Sequence, residues 1–553
     1  MARSVRLRPW QKAALDAFLA SPRADFLAVA TPGAGKTTFA LTAARQALAS
    51  SPGRLIVVAP TQHLKIQWAQ AAAAFDLHLE PHWSAADGRL PSDMHGVVTT
   101  YQQVATSAAA LRAMSAGAFV VFDELHHAGD ERAWGAGITA AFEAATRRLA
   151  LSGTPFRSDT IAIPFVQYYD GIACPNFEYG YSEALLDSGV VRPVYFPRTD
   201  GQMEWVAPDG SLQAASFADP LDRGRVGQRL RTALSVEGEW LPAVLAQANA
   251  ELTAVRADRP DAAGLVIATD QEHARAIGDL LRRRFRVKAT VVTSDDTTAS
   301  ARISAFAAGT DPWIVAVRMV SEGVDVPRLH VGVFATTTTT ELFFRQAVGR
   351  IVRWTAGQPR QRAYLFIPDD ARLRALAHRI AEQRRHSLHR RARAERPEID
   401  PRADPMGAAV EQLSLFAALS AVPVGATRAT EVATIRSWEA DSAGLTDTDR
   451  TIEVALPPAP PTGGAGAAPP STDEPLDPGQ PVRTLRERKR LLRDRNADRV
   501  RELVRTTGLS HQQVNFELNR LSGLERITEA TGEQLERRLH HADTWLRRAK
   551  PLA

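Results

Sequence analysis

One eight-residue stretch near the start of the chain restricts the fold more than any other part of the sequence. Ala30-Thr-Pro-Gly-Ala-Gly-Lys-Thr37 follows the apolar run Phe26-Leu-Ala-Val-Ala30 and opens a stretch with helical periodicity. A glycine-rich turn between a strand and a helix lets backbone N–H groups face an anion at the positive end of the helix dipole. The stretch departs from the strict G-x-x-x-x-G-K-T pattern only at Ala30. It predicts an α/β fold with a phosphate-binding loop, the alternative being an ordinary glycine-rich turn.

Two sets of short apolar runs, separated by helical stretches, indicate two parallel-sheet α/β domains in tandem. Continuous apolar runs are typical of strands that are buried on both faces. The first set comprises residues 26–30, 55–59, 96–100, 119–122 and 148–152, and the second set comprises residues 264–268, 289–293, 313–317, 331–335 and 363–367.

At 553 residues the chain is too long for one core, and composition suggests where it divides. Regular alternation stops after residue 397, and residues 457–481 are rich in Pro, Gly and Ala, which is typical of a flexible tether. The expected division is a first α/β domain at 1–190, an interdomain connection at 191–258, a second α/β domain at 259–397, an irregular linker at 398–482 and a basic α-helical module at 483–553.

The distribution of charge and the cysteine content indicate which partners the protein binds and in which compartment it is found. The net charge is only +5, but residues 372–396 hold nine arginines against two acids, and residues 483–553 hold 17 basic against 10 acidic residues. Localised positive charge suits nucleic acid, the alternative being solvated helix faces. The single cysteine, Cys174, excludes an internal disulfide. Without an apolar signal core or membrane span, the sequence predicts a cytoplasmic protein.

A pair of carboxylates follows a strand of the first set. Asp123-Glu-Leu-His-His127 comes directly after the apolar run 119–122, at the strand end where ligands bind in such sheets. Asp123 is placed to coordinate Mg²⁺ together with Thr37, and Glu124 to polarise an attacking water. Lys36 would contact the β and γ phosphates of ATP.

At this point the chain resembles superfamily 2 helicases and translocases, with the Asp-Glu-x-His form of the second motif. The resemblance covers residues 7 to 367, and it implies tandem RecA-like domains that use ATP and Mg²⁺. Arg8-Pro-Trp-Gln11 resembles the element whose glutamine contacts adenine. Ala59-Pro-Thr-Gln62 and Thr99-Thr-Tyr-Gln102 resemble strand-contacting motifs, in which Thr61 and Thr100 would touch phosphates. Ser152-Gly-Thr-Pro155 resembles the third motif, which couples hydrolysis to movement.

The resemblance continues in the second domain. Val317-Arg-Met-Val-Ser-Glu-Gly-Val-Asp-Val-Pro327 is similar to the fifth motif, and Gln346-Ala-Val-Gly-Arg-Ile-Val-Arg353 to the sixth. The match implies that Arg350 and Arg353 are arginine fingers and that His126 pairs with Gln346. The expected catalytic residues are Lys36, Asp123, Glu124, Arg350 and Arg353, and the expected nucleotide contacts are Gln11, Thr31, Gly33, Ala34, Gly35, Lys36, Thr37, Thr38, Gly323 and Asp325.

The motifs are most similar to those of the duplex-DNA branch, which includes XPB-like repair helicases and type III restriction subunits. DEAD-box RNA helicases carry Asp-Glu-Ala-Asp where this chain has Asp-Glu-Leu-His. We therefore expect an ATP-dependent DNA helicase or translocase. The alternatives are an ATP-switched DNA-binding component of a defence or repair complex that does not unwind, and an RNA helicase.

The segments after the second domain carry two further hypotheses. Gln412, Leu413, Ser414, Leu415 and Phe416 resemble the pentapeptide with which bacterial proteins bind the sliding clamp, the alternative being an amphipathic turn packed on the motor. The last segment has enough apolar positions for a helical bundle, including Leu509, Val514, Phe516, Leu518 and Leu521, with Ser510 as a helix cap. Its Glu487-Arg-Lys489 is the one Glu-x-Lys of the chain, and it lacks the acidic strand of a nuclease.

Overall fold

The structure, a computed structural model, describes residues 4–549 apart from residues 88–89, 126–131, 154–162, 170–171, 188, 208–209, 294, 297, 318–325, 356–357, 359–360, 395–450, 461–483 and 525–526. The chain divides into two compact units. The first unit combines Met1–Gly180 with Arg450–Ala553, and the second unit is Tyr181–Asp449. The division after Gly180 lies earlier than the boundary expected after residue 190.

Helices and short strands alternate in the part of the first unit that precedes Gly180. The strands are β1 (Ser4–Leu7), β2 (Asp25–Ala30), β3 (Leu55–Ala59), β4 (Leu79–Glu80), β5 (Gly96–Thr100), β6 (Phe119–Phe122), β7 (Arg147–Ser152), β8 (Tyr168–Tyr169), β9 (Ile172–Ala173) and β10 (Phe177–Tyr179). The helices are α1 (Pro9–Ala20), α2 (Lys36–Ser50), α3 (Gln62–Ala74), α4 (Tyr101–Ser115) and α5 (Arg132–Phe142).

Seven of these strands form a parallel sheet in the order β10-β2-β7-β6-β3-β5-β4. Every residue of β3, β5 and β6 is buried, as expected for strands that helices cover on both faces. All five strands predicted for this domain are present in the sheet. Because the strands are parallel, the segments that follow β2, β6 and β7 emerge at the same edge of the sheet.

The second unit contains the second strand set. Its strands are β11 (Val194–Tyr195), β12 (Arg198–Thr199), β13 (Gln202–Val206), β14 (Leu212–Ser216), β15 (Ala263–Ala268), β16 (Ala289–Val292), β17 (Trp313–Ala316), β18 (Leu329–Ala335) and β19 (Ala363–Pro368). Its helices are α6 (Tyr181–Leu186), α7 (Arg223–Ala233), α8 (Trp240–Asp258), α9 (Gln271–Phe285), α10 (Ala299–Ala308), α11 (Glu341–Ile351) and α12 (Ala371–Ala394).

The second sheet is also parallel, in the order β11-β19-β18-β15-β17-β16, with β12 beside β19. Gly264 on β15 is opposite Trp313 on β17, and a Cβ at Gly264 would lie 2.3 Å from the indole ring. The absence of a side chain there allows the fully buried Trp313 to lie over the neighbouring strand. The five predicted strands of this domain are all present, so the expected tandem of RecA-like α/β domains is confirmed.

The segment 191–258, which we expected to be an interdomain connection, is part of the second unit. Strands β11 and β12 extend the sheet beside β19, while β13 and β14 form a hairpin. Helix α8 buries one face, consisting of Leu241, Val244, Leu245, Ala248 and Leu252, in the core of this unit. The segment adds to the hydrophobic core because its helix carries apolar residues at intervals of three and four.

Residues 451–460 are ordered against the first unit, although they lie in the stretch that we expected to be irregular. Strand β20 (Ile452–Ala455) pairs antiparallel with β1. Beyond it, the carbonyl oxygen of Pro457 accepts a hydrogen bond from the buried Arg45 of α2. The carbonyl oxygen of Pro460 lies 3.1 Å from Nε2 of His95. A four-residue strand that prolines follow is too short to give a periodic signal by which sequence could identify it.

The last three helices form the expected bundle: α13 (Leu485–Thr507), α14 (His511–Ser522) and α15 (Gly532–Ala549). Their core comprises Val500, Leu503, Val514, Leu518, Ala542 and Leu546. Leu509, Phe516 and Leu521, which we counted among the apolar bundle positions, are instead 36%, 70% and 43% exposed. No helix among the described residues is both long and apolar enough to cross a membrane.

The bundle contacts the rest of the first unit through two acidic side chains. The Asp93 carboxylate accepts hydrogen bonds from Nζ of Lys489, at 2.9 Å, and from the backbone N–H of Gly532, at 2.7 Å. Arg486 forms an ion pair with Glu80 at 3.0 Å. Lys489 is almost fully buried, and its burial lowers its pKa while Asp93 acts in the opposite direction. The helical module is therefore packed on the first unit, where we had expected a tethered body.

Candidate nucleotide site

The glycine-rich loop joins β2 to α2 through a backbone that glycine favours. Gly33 and Gly35 have φ values of 85° and 95°, in the left-handed region that residues with a side chain rarely adopt. Gly35 is the N-cap residue of α2 and supplies no side-chain hydrogen bond to the first turn. The backbone N–H groups at the start of α2, around Lys36 and Thr37, therefore lie in the position that suits an anion.

The loop is fixed from outside by the Arg8-Pro-Trp-Gln11 element at the start of α1. Arg8 Nη1 and Trp10 Nε1 both donate hydrogen bonds to the carbonyl oxygen of Ala34, at 3.0 and 3.1 Å. Gln11 Nε2 donates to the carbonyl oxygen of Gly35 at 2.9 Å. A Cβ at Gly35 would lie 2.7 Å from this amide nitrogen. The element thus holds the phosphate loop in its conformation.

The side-chain amide of Gln11 forms hydrogen bonds with two backbone groups. Its Oε1 accepts the backbone N–H of Arg8 at 2.8 Å, its Nε2 contacts the loop, and the residue is buried. Trp10 lies beside it and stacks on Tyr179, with ring centroids 5.0 Å apart. The adenine contact expected of Gln11 stays a prediction.

The remaining expected nucleotide contacts of the first unit lie in or beside the loop. The backbone N–H of Thr31 donates to the carbonyl oxygen of Tyr179 at 2.9 Å, and the carbonyl oxygen of Thr31 accepts the N–H of Ala34 at 3.1 Å. Thr37 and Thr38 occupy the first turn of α2. The hydroxyl side chains of these two residues therefore start from the helix end nearest the loop.

Asp123 follows β6 and is held by two aromatic residues that sequence reasoning missed. Its Oδ2 accepts a hydrogen bond from Nε1 of Trp68 at 2.8 Å, and its carbonyl oxygen accepts one from the hydroxyl of Tyr101 at 2.8 Å. Both aromatic residues are buried. A buried indole N–H needs a polar partner. A tryptophan at a core position of α3 was therefore the one sign in the sequence that a polar group lies nearby. These contacts fix the backbone and the carboxylate of Asp123.

Glu124 joins three of the sequence motifs. Its Oε1 accepts a hydrogen bond from Nζ of Lys36 at 2.8 Å, and its Oε2 accepts the backbone N–H of Gly153 at 2.9 Å. Glu124 itself has a φ of 47°, an uncommon conformation for a residue with a side chain. A Cβ at Gly153 would lie 3.1 Å from Pro32 and 3.2 Å from Nζ of Lys36. A side chain at position 153 would therefore require Pro32 or Lys36 to shift.

Thr61 and Thr100, expected to touch phosphates, are helix caps in this structure. The Thr61 hydroxyl accepts the backbone N–H of Leu64 at the start of α3, at 3.4 Å. The Thr100 hydroxyl accepts the N–H of Gln103 at the start of α4, at 3.2 Å. Both helices begin directly after parallel strands, so the two threonines lie at the same edge of the sheet as the loop.

The second unit contains the expected arginine fingers. Gln346 and Arg350 lie on α11, and Arg353 follows two residues after the helix ends. Gly323, Asp325 and His126 lie outside the described residues, as does the segment from Gln412 to Phe416.

A buried arginine that sequence reasoning missed fixes the end of α11. The backbone N–H of Arg192 donates to the carbonyl oxygen of Val352 at 2.7 Å. Its guanidinium donates to the carbonyl oxygen of Arg353, at 2.5 Å from Nε, and to that of Pro327 at 2.8 Å. The Arg192 guanidinium also contacts the ring of His330. Arg192 thus ties the ends of the fifth and sixth motifs together.

The buried position of Arg192 disfavours its positive charge. Burial lowers the pKa of Arg192 to about 9, and burial together with the neighbouring Arg192 lowers the pKa of His330 to about 3. The histidine is therefore neutral near pH 7. The carbonyl oxygens of Pro327 and Arg353 offset part of the cost of burying the cation, and that of Arg353 lies just beyond the negative end of the α11 dipole.

Comparisons with known proteins agree with the motifs. Residues 4–157 match the family described as "Type III restriction enzyme, res subunit". An uncharacterized protein of Mycobacterium tuberculosis is 48% identical over 392 residues, which cover 69% of this chain and 65% of the relative. One of Mycobacterium leprae is 47% identical over 390 residues, with the same coverage. The chain thus spans just under two thirds of the length of these curated relatives.

Two solved structures resemble the chain more weakly. The ATP-dependent Type ISP restriction-modification enzyme LlaBIII bound to DNA is 14% identical, with a TM-score of 0.46, over 70% of this chain and 30% of that one. Dbp5 of S. cerevisiae bound to RNA and ADP BeF3 is 15% identical, with a TM-score of 0.45, over 68% and 87% of the two chains. Likenesses at this level carry no functional argument.

The family match agrees with the motifs of the first domain, because residues 4–157 are similar to the res subunit of type III restriction enzymes. Neither the family match nor the relatives support a sliding-clamp partner for residues Gln412 to Phe416.

Proposed function

We propose that the chain is an ATP- and Mg²⁺-dependent motor that moves along DNA or unwinds it. The observation that carries the proposal is the contact of Lys36, Glu124 and Gly153. One carboxylate links the phosphate-loop lysine to the backbone of the third motif. A change at the nucleotide phosphates therefore reaches the segment that follows β7 through a single side chain.

The residues of the first unit suit a nucleotide with its metal ion. The loop presents backbone N–H groups at a helix start, and side chains at Gly35 and Gly153 would crowd Gln11 and Lys36 respectively. The Thr37 hydroxyl and the Asp123 carboxylate are oxygen ligands of the kind that Mg²⁺ prefers. Mg²⁺ bound there would supply charge neutralisation at the phosphates.

Each protein group then has a definite task. When ATP binds, Nζ of Lys36 leaves Oε1 of Glu124 and contacts the phosphates instead. The freed carboxylate oxygen of Glu124 then accepts a hydrogen bond from the attacking water. Arg350 and Arg353 stabilise the negative charge that develops on the transferring phosphoryl group. Arg192 holds the backbone from which Arg353 projects.

DNA is the favoured substrate for two reasons. The motif forms are those of the duplex-DNA branch, and residues 483–553 add a localised excess of positive charge, 17 basic against 10 acidic residues. Such charge binds a phosphate backbone with an affinity that falls as salt rises.

The test is the ATPase rate of the purified protein without nucleic acid and with duplex DNA, single-stranded DNA or RNA. We expect stimulation by duplex DNA, together with displacement of a third strand from a triplex or of one strand from a duplex. Stimulation by DNA with no displacement of either kind would favour the ATP-switched clamp. Stimulation by RNA alone would favour the RNA helicase.

A further inference from the structure

We propose that the outer face of α14, formed by Gln512, Phe516 and Arg520, enters the major groove of duplex DNA and reads its sequence. The inference rests on the proposed function only in taking DNA as the substrate. It assigns to the C-terminal bundle a base-reading surface, separate from the nucleotide site and from the motor motifs.

The first observation is the connection between α13 and α14. Helix α13 ends at Thr507, and Gly508 follows with a φ of 70°. Ser510 caps α14 by accepting the backbone N–H of Gln513 at 3.3 Å, while Oε1 of Gln513 accepts the N–H of Ser510 at 3.0 Å. A three-residue turn with a left-handed glycine between two helices is the kind of connection found in helix-turn-helix motifs. In DNA-binding proteins that use it, the second helix lies in the major groove.

The second observation is that the inner face of α14 is held rigidly. Val514 and Leu518 pack in the bundle core. The buried guanidinium of Arg538 on α15 donates to Oδ1 of Asn515 at 2.6 Å and to Oδ1 of Asn519 at 2.9 Å. A helix fixed in this way presents its outer face at little further entropic cost, as base recognition requires.

The same arginine connects all three helices. Arg538 also donates to Oδ1 of Asn496 on α13 at 3.1 Å, and Asn496 Nδ2 donates to the carbonyl oxygen of Leu535 at 3.0 Å. Burial lowers the pKa of Arg538, and the amide oxygens that accept its hydrogen bonds offset part of the cost of burying its charge. The network explains the two asparagines on α14 and leaves its outer side chains without a role in the bundle.

The third observation is the chemistry of the outer face. Gln512, Phe516 and Arg520 are all exposed and lie four residues apart, on one side of the helix. Glutamine pairs with adenine, arginine pairs with guanine, and an apolar side chain contacts the methyl group of thymine. Phe516 is 70% exposed, which is costly in water for a side chain of this size. Arg520 forms an ion pair with Glu517, which orients its guanidinium along the same face.

Charge favours DNA over a protein as the occupant. The exposed residues of α13 include Arg488, Arg490, Arg495 and Arg505, and Arg505 lies in the last turn of α13, just before the connection to α14. Phosphate contacts of this kind position a protein on the duplex, and base contacts then supply the specificity. A protein-docking face of similar size would be richer in apolar and aromatic residues at its centre.

The experiment selects binding sites from a pool of random duplexes with the full-length protein. Affinity for the enriched duplex and for a random duplex is then measured by fluorescence anisotropy at several salt concentrations. We expect Gln512→Ala/Phe516→Ala to bind the random duplex as the wild type does and to lose on the order of tenfold to a hundredfold in affinity for the enriched one. The matched control, Leu521→Ala, removes an exposed apolar side chain elsewhere on α14 and should leave the preference intact.

A second variant separates base reading from phosphate contact. Arg488→Ala/Arg490→Ala should weaken binding to both duplexes equally and reduce the slope of affinity against salt. Failure to enrich any sequence, or an unchanged preference in Gln512→Ala/Phe516→Ala, overturns the inference in favour of a protein-docking face. The ATPase rate of the wild type with random duplex DNA is measured in parallel. If DNA fails to stimulate it, the proposed function is wrong, whatever the selection gives.

Discussion

The carboxylate of Asp93 accepts a hydrogen bond from the ammonium group of Lys489, 396 positions further along the chain, at 2.9 Å. Its second oxygen accepts the backbone N–H of Gly532 at the start of α15, where a negative charge is favourable to the helix dipole. One side chain therefore attaches two of the three C-terminal helices to the first unit.

Asp93→Ala should weaken this attachment. It leaves the buried Lys489 and the N–H of Gly532 without their acceptor, at a cost of about 1–3 kcal/mol. The expected results are a lower melting temperature and faster amide exchange in the first turns of α13 and α15. Asp16→Ala is the matched control, because it removes an exposed ion pair with Lys12, which contributes little. Equal effects of the two substitutions would contradict the attachment role.

His95 should make the first unit sensitive to acid. Burial lowers its pKa from 6.5 to about 4, so the unfolded chain binds a proton at higher pH than the folded chain does. Stability is then complete above about pH 6.5 and falls as the pH is lowered towards 4, by on the order of 3 kcal/mol from this residue. Urea unfolding across that range measures the loss.

The control variant keeps the two hydrogen bonds of residue 95 and removes its titratable group. Nδ1 of His95 accepts the backbone N–H of His78 at 2.9 Å, so Nε2 donates to Pro460. Gln can supply one acceptor and one donor in the same place. His95→Gln should flatten the pH dependence, and an unchanged slope would show that another group is responsible.

Glu124→Gln should separate nucleotide binding from hydrolysis. Glutamine can still accept the N–H of Gly153 but is a poor general base, so turnover should fall by about 10²- to 10⁴-fold while ATP binding persists. Lys36→Ala should instead abolish hydrolysis through loss of a phosphate contact. Equilibrium binding of a fluorescent ATP analogue and single-turnover hydrolysis distinguish the two. The exposed Glu143→Gln is the control, and near wild-type turnover in Glu124→Gln would refute the assignment.

Arg350→Ala should behave like Glu124→Gln, because an arginine finger acts on the transition state more than on the bound nucleotide. We expect a loss in kcat of about 10³-fold or more with little change in KM. Arg345→Ala is the matched control on the same helix, since Arg345 is paired with Glu341 at 3.0 Å. A loss of equal size in the two variants would point to a general disturbance of α11.

Arg192→Lys tests whether the buried guanidinium positions the sixth motif. Lysine keeps the positive charge, but a single ammonium cannot reproduce the planar contacts to the carbonyl oxygens of Pro327 and Arg353. We expect kcat to fall with KM for ATP nearly unchanged, and a modest decrease in melting temperature. A lower melting temperature with unchanged kcat would mean that Arg192 serves the fold alone.

The sequence predicted those strands and site residues that can be recognised from a few adjacent residues. The ten predicted strands are short apolar runs, Lys36 follows the glycine-rich loop after β2, and Asp123 and Glu124 lie directly after β6. Strands β4, β11 and β12 have two residues each, which is too short for any periodicity to show. Gln11 was expected to face a nucleotide, and its contact with the phosphate loop depends on how α1 packs.

The contacts that sequence could not supply join distant segments. Trp68 and Tyr101 reach Asp123 from two different helices, and each reads in the sequence as an ordinary core aromatic. Arg192 lies in a stretch with no motif, and only the folded chain brings it to the carbonyl oxygens of Pro327 and Arg353. The exposure of Phe516 is likewise invisible to composition, because an apolar residue on an amphipathic helix is usually buried.

The pairing of β1 with β20 has a consequence for synthesis on the ribosome. Ser4–Leu7 leads directly into the Arg8-Pro-Trp-Gln11 element, yet its partner Ile452–Ala455 is made more than four hundred residues later. The whole second unit is translated in between. The amino-terminal part of the first unit must therefore wait, with β1 unpaired, until residues 452–455 have been synthesised. The strand that precedes the Arg8-Pro-Trp-Gln11 element thus finds its partner only after the second unit has been made.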